Sequence, residues 1–199
     1  MNFLTHPIFP VAVYHTNVPD IPSPDPKDFK RLLVDGPNEG NEFTENYHVL
    51  DTKTYKPLKK EIQKHINNYV KEIINPSTKF DTELTLSHIN WIPKGGFHHI
   101  HDHPNSFLSG VFYFDVDEDD GLNFHKRDYN FFRIYPETWN YFNSHKWTVK
   151  VIKGDLLIFP SHLLHSVDNV HMQQNRCTLA FNTIVRGELG GDDLTELHL

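Results

Sequence analysis

The chain has 199 residues, 38% apolar, 23% charged and 13% aromatic, with a formal net charge of −7. That length allows one domain with a substantial core, and an acidic balance without a basic stripe argues against a binder of nucleic-acid backbones. A lone cysteine, Cys177, excludes an internal disulfide framework and a cysteine-only metal cage, and no apolar run is long enough to span a bilayer.

The N-terminal "IFPVAVYHTNV" reads as a strand, and nothing before it has the basic-then-apolar pattern of a signal peptide. Pro19, Pro22, Pro24 and Pro26 make the next stretch an extended loop. In "YKPLKKEIQKHINNYVKEII", Leu58, Ile62, Ile66, Val70 and Ile73 recur at helical spacing, and Pro57 suits a first turn. The spacing predicts one amphipathic helix packed on a sheet.

After residue 80 the texture changes to short β-rich runs: "TELTLSHINWI", "SFLSGVFYFDV", "GLNFHKR", "WTVKVI", "DLLIFP" and "RCTLAFNTIV". Turn signals at Pro93 to Gly96, Asp117 to Gly121, Lys153 to Asp155 and Pro160-Ser161 separate them. Many short strands with little helix predict a mainly β sandwich or jelly roll. The long aromatic stretch 125–147 either lines a substrate entrance or covers the core as a flap. The tail from residue 188 is glycine-rich and acidic.

Residues 95–106, "GGFHHIHDHPNS", place His98, His99, His101 and His103 within six positions. Successive side chains of a strand point to opposite faces. An extended 97–103 therefore puts His99, His101 and His103 on one face, with His98, Ile100 and Asp102 on the other. Further on, "GDLLIFPSHLLHSVDNV" is a buried strand stopped by Pro160, followed by a loop that delivers His162 and His165. Two histidines from a strand tip and one from a distant strand make a facial set of three ligands. Such a set leaves three octahedral positions open, the geometry of non-haem iron sites. In "NRCTLAFNTIV", Arg176, Thr178, Ala180 and Asn182 share a small, polar face, while Cys177, Leu179 and Phe181 share a greasy one. The polar face suits a ligand cavity, and an arginine fork at its end pairs bidentately with a carboxylate.

Together these stretches resemble the 2-oxoglutarate/iron(II)-dependent oxygenases, most closely a subfamily of marine bacteria and phages. The pattern is a Trp-containing strand, a glycine turn, H-x-H-P-x-S, S-G-x-Y-Y, and later G-x-L-x-x-F-P-S-x-x-x-H-x-V followed by R. Here it reads "WIPKGGFHHIHDHPNSFLSGVFYF" and "GDLLIFPSHLLHSVDNVHMQQNRCTLAFN". The resemblance spans residues 84 to 185, about half of the chain. It implies a double-stranded β-helix (cupin-like) over residues 81–187, with one or two supporting helices, inside a single domain of residues 1–199. It further implies iron(II) as metal and 2-oxoglutarate as cosubstrate. His101 would be the first ligand, His165 the distal histidine and Arg176 the anchor for the far carboxylate. Thr178, Tyr113 and Asn90 would help to hold the cosubstrate. Most relatives carry H-x-D or H-x-E where this chain has His103, and Asp102 falls at the variable position. Ligation by His101, His103 and His165 would leave the site more positive by one charge.

The expected activity is a dioxygenase, a hydroxylase of a substrate the sequence does not name. Two rivals share the fold: a three-histidine cupin-type enzyme that does not use 2-oxoglutarate, and a non-enzymatic binding module. The expected location is the cytoplasm of a bacterium or of a phage-infected cell. A homodimer is compatible with the sequence.

Overall fold

Both faces of the strand Asp155–Pro160 are buried, and they face two different cores. Leu156 and Ile158 pack beneath a helix, whereas Leu157 and Phe159 pack between two sheets. This explains why "DLLIFP" is continuously apolar instead of alternating. The structure, a computed structural model, describes residues 3–127, 132, 134–190 and 197–199.

The described strands are β1 (Tyr14–Asn17), β2 (Arg31–Leu33), β3 (Glu42–Thr44), β4 (Phe80–Ile92), β5 (His98–His101), β6 (Leu108–Asp115), β7 (Gly121–His125), β8 (Lys146–Lys150), β9 (Asp155–Pro160), β10 (His165–Val167), β11 (Arg176–Leu189) and β12 (Leu197–His198). One sheet runs β1-β9-β6-β11-β4-β3-β2, with β12 paired to β11, and the other runs β5-β10-β7-β8. Both sheets are antiparallel. They enclose Ile92, Tyr113, Leu122, Phe124, Leu157, Phe159 and Val167, the sandwich of a jelly roll.

One α-helix, α1 (Lys56–Tyr69), covers the outer face of the larger sheet. Leu58, Ile62, Ile66 and Tyr69 are its buried stripe. Burying each such side chain stabilises by roughly 1.5–3 kcal/mol. The expected stripe runs on to Ile73. Instead the chain widens into a π-helical turn over Val70–Ile74, which changes the phase and leaves Ile73 42% exposed. Tyr69 takes the buried place and donates its hydroxyl to the Ala12 carbonyl.

Several expectations need correction. The first strand begins at Tyr14, and Ile8 and Phe9 before it are exposed. β2 and β3 extend the larger sheet from a stretch that carries no alternating pattern. β10 was not among the strand segments read from the sequence; its three residues pair with β5 and β7. Part of the 125–147 segment and most of the acidic tail lie outside the described residues. In the described part, Ile134, Tyr135, Tyr141 and Phe142 are exposed and cover no core.

Gly110 on β6 is required by close approach. A Cβ there would lie 2.2 Å from the Phe181 ring and 2.6 Å from the Leu157 carbonyl oxygen.

Candidate metal centre and cosubstrate site

The smaller sheet brings two histidines face to face. His101 ends β5 and His165 begins β10, and the two are direct antiparallel partners. His103 follows as the chain leaves β5, and its backbone N–H donates to the Ser161 carbonyl at 2.9 Å. The Ser161 hydroxyl donates to that of Ser106 at 2.7 Å. The serines of H-P-x-S and F-P-S thus tie together the two segments that carry the histidines.

One ring nitrogen from each of His101, His103 and His165 lies within 4.8 Å of the others. Nε2 of His103 and Nε2 of His165 are 3.2 Å apart. Two cis ligands on one ion at about 2.1 Å each would stand about 3 Å apart. Nδ1 of His101 contacts the His99 carbonyl at 2.8 Å, and Nδ1 of His165 contacts the Leu163 carbonyl at 2.9 Å. A proton on each Nδ1 makes both contacts hydrogen bonds and leaves Nε2 free as a donor to metal. Burial pushes the imidazole of His165 down to about 3 and that of His103 down to about 4, and it lowers His101 as well. All three are neutral at pH 7, as metal ligands must be. The donor set fits a borderline divalent ion such as iron(II).

The larger sheet supplies the rest of the cavity. Thr178 on β11 is the register partner of Tyr113 on β6 and of Asn90 on β4. The three therefore form one row across adjacent strands. Arg176 stands at the start of β11, 2% exposed. Its Nε donates to Oδ2 of Asp120 at 2.7 Å, and its Cζ lies 5.3 Å from the centre of the Tyr113 ring. Nη2 of Arg176 is buried without a partner, and the Tyr113 hydroxyl beside it has no hydrogen bond of good geometry. Burial raises the pKa of that phenol and keeps it protonated. A buried guanidinium nitrogen without a partner, on a residue of the cavity wall, fits a carboxylate. Arg176, Thr178, Asn90, His101, His103 and His165 all line the cavity, and the residues present fit both the metal and the dicarboxylate.

Strand parity failed at one point. His98, expected on the opposite face, lines the cavity, its ring stacked on that of His101 at 4.4 Å. A register shift sets three steps of β5, from His98 to His101, against two of β10, and the extra residue turns His98 inward. His99, expected inside, is exposed, and its backbone N–H and ring contact Oδ1 of Asn38. His162 is exposed as well. Asp102 pairs with Arg127, away from the histidines. Sequence reasoning missed Asp120, a member of an acidic turn signal, and His88, which shares the cavity wall.

Residues 87–182 match the family described as "Putative 2OG-Fe(II) oxygenase". That span contains all seven candidate residues: Asn90, His101, His103, Tyr113, His165, Arg176 and Thr178. That span, just under half of the chain, is similar to the 2-oxoglutarate/iron(II)-dependent oxygenases. Solved structures share the fold of this chain at low identity. A prolyl-4-hydroxylase from Pseudomonas putida aligns with a TM-score of 0.54 and 13% identity, over 79% of this chain and 79% of that one. HygX from Streptomyces hygroscopicus, solved with nickel and 2-oxoglutarate bound, aligns with a TM-score of 0.54 and 12% identity, over 79% and 74%. An oxidoreductase of the 2OG-Fe(II) oxygenase family from Burkholderia pseudomallei gives 0.52 and 12%, over 76% and 71%. No sequence among curated proteins matches this chain.

Proposed function

We propose that His101, His103 and His165 hold one iron(II) and that Arg176 grips the far carboxylate of 2-oxoglutarate, helped by Tyr113, Thr178 and Asn90. The observation that carries this reading is the pairing of a three-nitrogen cluster with a buried, partly orphaned guanidinium in one cavity. When bound, iron(II) with 2-oxoglutarate and O2 supplies an oxidant able to take hydrogen from an unactivated carbon. The overall reaction gives succinate, CO2 and a hydroxylated product, with one oxygen atom of O2 entering each of succinate and product. The protein's own contribution is geometric and electrostatic. Carbonyl contacts fix two of the imidazoles, the Tyr113 ring and Asp120 fix the guanidinium, and the apolar Leu122, Phe159 and Val167 keep the cavity dry.

The same reading treats residues 1–199 as one domain, since β1 pairs with β9 and β3 with β4. It places the enzyme in a reducing cytoplasm, in keeping with a buried free Cys177.

The test is calorimetric titration of 2-oxoglutarate into the iron-loaded protein under argon. Arg176→Ala leaves a carboxylate without its charge partner, at a cost of about 3–5 kcal/mol, so affinity falls by roughly two orders of magnitude or more. Iron stoichiometry stays unchanged. Equal affinity for variant and parent would remove Arg176 from this role.

A further inference from the structure

A second recess adjoins the metal cavity and shares His88, Asn90, Ile92 and His98 with it. Its outer wall comes from β3 and the loops on either side. Phe43, Tyr47 and His88 form a continuous aromatic surface there, with ring centres 5.8 to 6.2 Å apart. Opposed in chemistry are three amides, Asn38, Asn41 and Asn90. Asn38 already accepts at Oδ1 from the His99 backbone N–H and Asn41 already donates from Nδ2, which leaves the Asn38 Nδ2 and the Asn41 Oδ1 for other partners.

Two polar atoms on side chains that line this recess are buried without a partner. Asn41 donates Nδ2 to the Phe97 carbonyl at 2.8 Å, yet its Oδ1 accepts nothing. Nδ1 of His88 is likewise unpaired. A buried polar group left so costs about 1–3 kcal/mol, and a ligand that pairs with it recovers that cost. No Asp, Glu, Lys or Arg lines the recess among the described residues. A charged group entering it would lose hydration with no counter-charge to replace it.

We propose that this recess holds the substrate's ring, which is uncharged and carries adjacent hydrogen-bond donors and acceptors, the chemistry of a nucleobase or a sugar. The ring packs on Phe43 and Tyr47 and gives a donor to Oδ1 of Asn41. The shared wall then leaves its edge, or a substituent on it, facing the metal cavity. The inference rests on the oxygenase reading above and names its substrate class.

The test is calorimetry on the iron(II)-loaded, 2-oxoglutarate-saturated protein without oxygen. The probes are uracil, uridine and methyl glucoside, with orotate and glucuronate as charged counterparts. The proposal expects a neutral probe to bind and its charged counterpart to bind at least tenfold more weakly. Binding of uracil and uridine identifies a base, and binding of methyl glucoside alone a sugar. Tyr47→Ala and Asn41→Ala should each weaken the neutral probe tenfold or more while leaving 2-oxoglutarate affinity intact. Tyr47 is 44% exposed, so its variant folds, and unchanged probe affinity there overturns the proposal. So does a panel in which no neutral probe binds, or in which charged probes bind equally well. Failure of 2-oxoglutarate itself to bind the parent would instead sink the underlying oxygenase reading.

Discussion

Arg176 and Asp120 form a buried ion pair, Nε to Oδ2 at 2.7 Å, with side chains 2% and 10% exposed. The pair bears on the missing carboxylate. In the H-x-D or H-x-E pattern the carboxylate puts one negative charge on the metal itself; in the proposed site His103 would stand in that place. Iron(II) with three neutral imidazoles is doubly positive, the Arg176–Asp120 pair is neutral, and 2-oxoglutarate is a dianion. The cavity, loaded as proposed, would therefore be electrically balanced, with the carboxylate on the arginine instead of on the metal.

Asp120→Asn tests this balance. The amide oxygen can still accept from Nε of Arg176, but the charge is gone. Removing one partner of a buried pair costs about 3–5 kcal/mol, so the unliganded variant should be less stable by a large part of that. Saturating 2-oxoglutarate supplies the lost negative charge. The rise in melting temperature on adding 2-oxoglutarate to the iron-loaded protein should be larger in the variant than in the parent. Equal rises would show that Asp120 does not compensate the site's charge.

Asp102 and His103 offer a paired comparison. Asp102 is tied to Arg127 and turned from the cluster, so Asp102→Asn should leave iron affinity within a few-fold of the parent. His103→Ala removes one of three donors and should weaken iron binding by tenfold or more, as read by competition with a coloured chelator. His103→Asp should retain iron and lower the site's charge by one. Loss of iron in Asp102→Asn with retention in His103→Ala would reverse the assignment.

Much of this site was legible because its chemistry is written in short, local motifs. The facing of Arg176, Thr178 and Ala180 follows from alternation, since β11 pairs with β4 without a shift through that stretch and the extra residue against Cys177 and Thr178 lies on β6. Pairing of His101 with His165 needed only the two motifs and the topology they imply. The error came where regularity breaks. Alternation put His98 outside, and a single bulge against β10 brought it in. Asp120 was hidden for another reason: in an acidic run of four, Asp117 to Asp120, nothing in the sequence singles out the one that reaches Arg176. β2 and β3 were missed because each is three residues long, too short for a periodic signal.

His88 predicts the acid limb of stability. Burial, reinforced by nearby His103, pushes its imidazole down to about 4. The unfolded value is about 6.5, so the fold favours the neutral ring. Stability from this group is whole above about pH 6.5 and drains away as pH falls toward 4, by up to about 1.4 kcal/mol per pH unit. His98 and His165, each pushed to about 3, add the same sign in the metal-free protein. Denaturant unfolding of that protein at pH 7, 5.5 and 4.5 should show the decline, and His88→Gln should flatten it by about one proton. An unaltered slope in the variant would mean that His88 titrates normally in the folded chain.

The most direct measurement is an anaerobic titration of 2-oxoglutarate into the iron(II)-loaded protein, followed by the weak visible charge-transfer band of the chelate. One band should grow to saturation at one equivalent per chain. It should be absent in His101→Ala and in His165→Ala, which hold no stoichiometric iron. No band in a parent protein shown to hold iron, or a full band in both variants, would contradict a 2-oxoglutarate-binding metal centre at His101, His103 and His165.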